Sequence, residues 1–182
     1  RVRGPIESRV ALALRISEAL AGRGTGRAFF RAFADALARF EAALPPTIAA
    51  GDRRSLALIQ FTRVLFLYFV QSRGWLDGRD AFLAEEVDRA LASGCCLHRS
   101  LFRPLFFGTL NRQPGERSRA AGRFGRIPFL NGGLFEPHPL ERQWRLDVRD
   151  AAWRDAFDSL FERFHFTVVE ELDGPSVAPD TL

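Results

Sequence analysis

Between Asn111 and Arg126 the sequence reads "NRQPGERSRAAGRFGR". It sets the guanidinium groups of Arg112, Arg117, Arg119, Arg123 and Arg126 against the single carboxylate of Glu116. That surplus equals the net charge of the whole chain, +4, so the remaining residues balance to zero. Guanidiniums on a Gly-containing segment can follow a phosphate backbone, each neutralised phosphate releasing counterions. Phe124 among them could stack on a base or anchor the segment. Double-stranded DNA is the candidate partner these residues suggest, and a solvated connector is the competing reading. All 26 basic residues are Arg, a bias that a GC-rich genome would produce without any selection for binding.

Catalytic constellations are missing from the sequence. With no Lys, the chain cannot supply a Schiff base, a phosphate-loop Lys or a nuclease motif ending in Lys. Cys95-Cys96-Leu97-His98 could be half of a metal site, but the chain has no further Cys, and a buried or half-buried thiol pair near a helix start is expected instead. The three His are scattered, and no Gly-x-Ser-x-Gly nucleophile motif occurs. Glu85-Glu86 and Glu170-Glu171 read as solvated faces. "GRGTGR" at 22–27 follows a helix rather than a strand and lacks the full dinucleotide-binding pattern, so it reads as a connector. No catalytic residue and no metal ligand is expected.

The elements that must carry the arginines are mainly helical. Hydrophobic content of 47% and 18 Phe predict a packed interior. Residues 6–21 form one expected helix. A second, capped by Thr25, puts Phe29, Phe33, Leu37, Phe40 and Leu44 on one face and Arg31, Asp35 and Arg39 on the other, and Pro45-Pro46 ends it. Residues 53–73 are apolar around most of their circumference and should be central. Gly74 would end them in a left-handed cap, folding Trp75 and Leu76 back onto the core. A shorter helix at 80–92 follows, then an apolar stretch at 101–110 in which Pro104 kinks or starts a helix. Asp150 is the expected N-cap of a helix with Trp153, Phe157, Leu160 and Phe164 on one face, and 165–170 has strand-like composition. The longest apolar run, Val64–Val70, is far short of the ~18 residues that suggest a membrane span, so no membrane is expected. Adjacent Cys95 and Cys96 are poorly placed for a structural disulfide, which favours a reducing cytoplasm.

Residues 127–136, "IPFLNGGLFE", place Asn131-Gly132-Gly133 between two apolar pairs. Asn and Gly tolerate positive φ, so the chain can reverse there in a turn or hairpin, bringing Phe129-Leu130 and Leu134-Phe135 onto the helices. The fold class expected is mainly α: an irregular helical bundle with a small β component near 127–136 and 165–170. Residues 1–110 would form the helical core, 111–126 the basic loop, 127–147 the turn region and 148–171 a helix plus short strand. Residues 172–182 would be a linker to an absent catalytic domain. The lack of any Met supports reading the chain as an excerpt of a larger one.

Five segments appear together in order: "RVLFLYFVQSRGWL", "LFRPLFFGTLN", "GRIPFLNGGLFEP", "FHFTVVEE" and "APDTL". This arrangement resembles the helical spacer preceding the methyltransferase domain of large adenine-specific DNA methylases. These include single-chain restriction–modification enzymes of the MmeI-like kind and PglX-type phage-defence methylases. The resemblance covers about residues 56–182. Its aromatic-Leu-Asn-Gly-Gly-Leu-Phe core falls on Phe129, Leu130, Asn131, Gly132, Gly133, Leu134 and Phe135, where the family more often has Tyr at the first position. It implies a non-catalytic spacer that positions the methyltransferase domain of its parent chain. S-adenosylmethionine would bind in that downstream domain, and adenine N6 methylation would be the parent activity. A protein–protein docking module is the alternative, which exposure of Phe106-Phe107 or Leu134-Phe135 would support.

Overall fold

The computed structural model describes residues 26–130 and 133–164. The expected helix at 6–21, the Thr25 cap, Asn131 and Gly132, the strand at 165–170 and the linker lie outside them. Among the described residues the fold is helical with no strand, so the mainly α expectation holds.

Helix α1 spans Gly26–Ala43 and buries Phe29, Leu37 and Phe40, with Phe33 half-buried beside them and Leu44 buried just past its end, as the sequence periodicity requires. Pro45-Pro46 stops it. On its outer face Arg39 reaches across to Asp155 (2.8 Å) rather than to the neighbouring Asp35. Helix α2, Ala50–Ser72, is the central element. Its apolar residues are long and numerous enough, by length and composition alone, to cross a membrane, yet most of that face is covered by the protein. Gly74 adopts φ 70° and reverses the chain, and Leu76 turns inward and is fully buried. Trp75 does not follow it. With its side chain 53% exposed, it corrects the expectation that both residues fold onto the core.

Helix α3 is Phe82–Ala92. The chain from His98 to Leu110 then runs in wide π-type turns around Pro104, with Arg103 N–H donating to His98 O and Asn111 N–H to Phe106 O (3.1 Å). Pro104 has no N–H to give to a regular helical ladder, which favours this local rewinding. Two short helices close the described fold, α4 at Pro139–Gln143 and α5 at Asp150–Ala156, the latter continuing as a π turn over Phe157–Phe161. Asp150 is the first residue of α5 rather than its cap. Its carboxylate accepts the N–H of Leu97 (2.8 Å), so it caps the start of the 98–110 segment instead.

The core is aromatic. Trp153 lies with its ring centroid 4.0 Å from Phe102 and 4.9 Å from Phe40, and Phe61 joins Phe40, Phe33 and Phe161. Such pairs each add about 0.5–1.5 kcal/mol beyond the area they bury. Buried His98 stacks parallel to Trp153. Burial pushes its imidazole down to about 4, against the opposing charges of Asp147 and Glu141.

Candidate nucleic-acid interface

The arginine segment is irregular but anchored. Two 3-10 turns, Pro114–Glu116 and Arg119–Phe124, break it into short rigid pieces. Phe124 is fully buried and faces Phe82 at 6.4 Å, while Ser118 Oγ accepts the N–H of Ala121. At its end Asp77 takes the N–H of Arg126 on its carboxylate (2.9 Å) and donates its own N–H to Arg126 O (3.1 Å). Gly125 sits at φ 78°, and a Cβ there would lie 2.3 Å from the Asp77 carboxylate. Only glycine permits that closure.

The five arginines therefore have different situations. Arg117 is structural: Nε donates to Arg112 O (3.1 Å) and Nη1 to Ile127 O (2.8 Å), drawing the two ends of the segment together. Burial lowers its guanidinium from the ordinary value, though Arg stays charged in proteins. Arg123 donates to Ser100 O and lies over the Phe124 ring (4.6 Å). Arg126 projects into solvent, 94% exposed, with Nε 3.9 Å from Asp77. Arg112 and Arg119 are exposed and make no ion pair among the described residues.

The sequence reading missed two partners of Arg112. Arg99 and Arg103 lie on the 98–110 segment and join Arg112 around an open depression of about 590 Å³, with Phe107, Glu116 and Ser118. Their spacing of four on a helical stretch was the available signal. Arg99 pairs with Asp147, and that pairing raises the guanidinium and holds the carboxylate below its usual range in spite of burial. Arg103 and Arg112 face the depression with no ion pair among the described residues. Two uncommitted guanidiniums with a hydroxyl beside them suit an oxyanion such as a backbone phosphate.

The chain just after Gly133 is locked to the core by a residue that no local sequence signal singles out. Arg63, in the middle of α2 and 1% exposed, donates Nε to Leu134 O (2.7 Å) and Nη2 to Glu136 O (2.7 Å). Nη1 and Nη2 also grip the two oxygens of Glu141 (2.7 and 3.0 Å). Gln60 donates to the same carboxylate (2.8 Å), and Glu141 Oε2 accepts the N–H of His138 at the start of α4. Burial pushes Glu141 up, but the bonds and charge of Arg63 outweigh it and hold the carboxyl below its usual range. The chain after Gly133 is therefore fixed on the core. Leu130 N–H pairs with Leu110 O (2.8 Å), Gly133 takes φ 71°, and Phe135 is buried. Phe129 is exposed at 36%. Phe106 is fully buried, Phe107 and Leu134 are half-buried, and all pack on the core, so neither apolar pair forms the exposed cluster that a docking face would need.

Cys95 is exposed and Cys96 half-buried, with Cys96 Sγ near Asp147 Oδ1 (3.7 Å), so the thiol pair is more accessible than expected. Among the described residues, no group of three or more His, Cys, Asp or Glu is placed to hold a metal ion.

No family model and no solved structure matches the chain. A Methanocaldococcus jannaschii protein that bears the name of a type II restriction enzyme and methyltransferase is 25% identical over 128 residues. The match takes in 68% of this chain and 11% of that relative. The chain is thus similar to one short region of a restriction–modification protein, and spans about a tenth of it.

Proposed function

We propose that this chain is a non-catalytic helical spacer of a restriction–modification enzyme of the MmeI-like or PglX-like kind. It positions the methyltransferase domain of its parent chain and rests on the DNA backbone through the Arg99, Arg103 and Arg112 depression, flanked by Arg119 and Arg123. The parent methylates adenine N6 in the cytoplasm, in phage defence, with S-adenosylmethionine held by the downstream domain. Base-modifying enzymes extrude their target from the duplex, so a rigid support that fixes domains around DNA has a mechanical role. Phosphate contacts of this kind position a protein without reading sequence. The observation that carries the reading is the basic depression, built on a segment that Phe124, Arg117 and Asp77 hold in place.

The test is a duplex-DNA titration of the 182-residue chain across a salt series, beside an R103S/R112S variant. The parent's affinity should fall steeply with salt, and the variant's log–log slope should be shallower by about 2, near one unit per lost phosphate contact. Equal slopes would remove the depression from the interface. The docking alternative rests on exposed Phe129 at the turn. An F129S variant that separates the chain from its methyltransferase domain, with DNA binding intact, would favour it.

A further inference from the structure

The 112–118 segment also lines a second depression of about 840 Å³, through Pro114 and Arg117, which the reading above does not use. Trp75, Pro114, Arg117, Arg126, Ile127 and Pro128 line it. Its volume falls within the roughly 300–1,000 Å³ common for small-molecule sites. Four features describe what it could hold. Trp75 offers a half-exposed indole, and its backbone N–H is fixed to Val70 O (3.1 Å) directly after the Gly74 reversal, so the ring stands on a rigid base. Arg117 is fastened through Nε and Nη1, while its Nη2, shielded from solvent, has no acceptor among the described residues. Arg126 stands almost fully exposed at the rim. Asp77 is the one carboxylate in the lining, and its Oδ1 already accepts the Arg126 N–H.

We propose that this depression receives an unpaired nucleobase stacked on Trp75, with the attached phosphate taken by Arg126 at the rim and the fixed guanidinium of Arg117 adding positive charge to the wall. A flat π-surface beside fixed and mobile guanidiniums is the pairing that single-stranded nucleic-acid sites use: stacking holds the base and cations follow the backbone. Continuity supports the same occupant. Arg112, Glu116 and Ser118 border the first depression, Pro114 and Arg117 the second, so one strand crossing the 112–118 segment meets both. The inference deepens the nucleic-acid reading above and rests on it. It assigns to this chain a place for a base that has left the duplex.

The test compares a short oligothymidylate with a fully paired duplex, using the 182-residue chain, W75A, and W75F as a conservative control. Trp153 is buried and the Trp144 indole is hydrogen-bonded to Asp52 (2.9 Å), so quenching on binding reports chiefly on Trp75. Oligothymidylate should quench the parent's fluorescence. W75A should weaken oligothymidylate binding at least about fivefold, the low end of one base–aromatic stack, and leave duplex affinity unchanged. W75F should retain most of the affinity. Salt-dependent duplex binding with no oligothymidylate quench, or with W75A indistinguishable from the parent, would overturn this site and leave the duplex interface standing. Absence of binding to either DNA would overturn both. Quenching by an apolar peptide but not by oligothymidylate would make the depression a protein-docking site and refute the base-binding assignment.

Discussion

Replacing Arg63 by Met tests whether the chain at 134–136 is held by charge or merely by packing. Met keeps the length and apolar stem, so cavity formation contributes little. What disappears is the guanidinium that grips both oxygens of Glu141 and the carbonyls of Leu134 and Glu136. Removing one partner of a buried ion pair costs about 3–5 kcal/mol, because the other charge stays behind uncompensated. Glu141 would retain the Gln60 and His138 donors, which places the charge defect toward the lower end of that range. The two stranded carbonyls add about 1 kcal/mol or more each. A loss of about 5 kcal/mol is expected, a large share of the 5–15 kcal/mol typical of domains. Urea unfolding followed by tryptophan fluorescence measures it.

Two further readouts separate the mechanism from simple misfolding. In R63M/E141Q the stranded charge is gone, so the double variant should be more stable than the sum of the single effects predicts, by up to about 3 kcal/mol. Acid should also narrow the gap between R63M and the parent. In the parent, Glu141 is held below its usual range, so its contribution is present above about pH 4.5 and is lost as pH falls through the folded value. R63M lacks that contribution from the start, and protonation relieves its stranded charge. A cost below about 1 kcal/mol, or strict additivity in the double variant, would refute the argument.

Two other outcomes follow from the core. His98 is kept neutral by burial, with its value pushed down to about 4, so the unfolded chain binds a proton that the folded one excludes. Stability should be full above about pH 6.5 and fall by roughly 3 kcal/mol as pH drops toward 4, and H98F should flatten that slope in a pH series of thermal or urea midpoints. Phe124→Ala should cost about 3–5 kcal/mol and loosen the arginine segment without changing its charge. Proteolysis within 112–126 should accelerate, and duplex affinity should fall at low salt while the salt slope stays near that of the parent.

The elements that local chemistry controls were legible in the sequence. The four-and-three spacing of Phe29, Phe33, Leu37, Phe40 and Leu44 defines a buried stripe, Pro45-Pro46 cannot continue it, and Gly74 ends α2 where only a permissive backbone can turn. These signals depend on neighbours a few positions apart, so a single chain displays them. The site was only partly legible. The sequence located Arg112, Arg117, Arg119, Arg123 and Arg126 but could not say that Arg117 staples the segment while Arg99 and Arg103 join Arg112. It likewise placed Asp150 at a helix start but not against the Leu97 N–H, 53 positions away.

Arg63 marks the limit most clearly. In the sequence it is the lone charge between Arg54 and Arg73, within the apolar part of α2, and nothing within one turn can neutralise it. Its partner Glu141 lies 78 positions later. Burying a charge is tolerable only with a partner and satisfied hydrogen bonds, and which carboxylate reaches it depends on how α4 packs against α2. Trp75 shows the converse. Hydrophobicity argued for burial, but after the Gly74 reversal Leu76 takes the inward place, and the indole is left facing the depression. Periodicity and turn chemistry thus set the helices and their ends. The choice among distant partners, and of which aromatic faces outward, was settled only when the helices closed on one another.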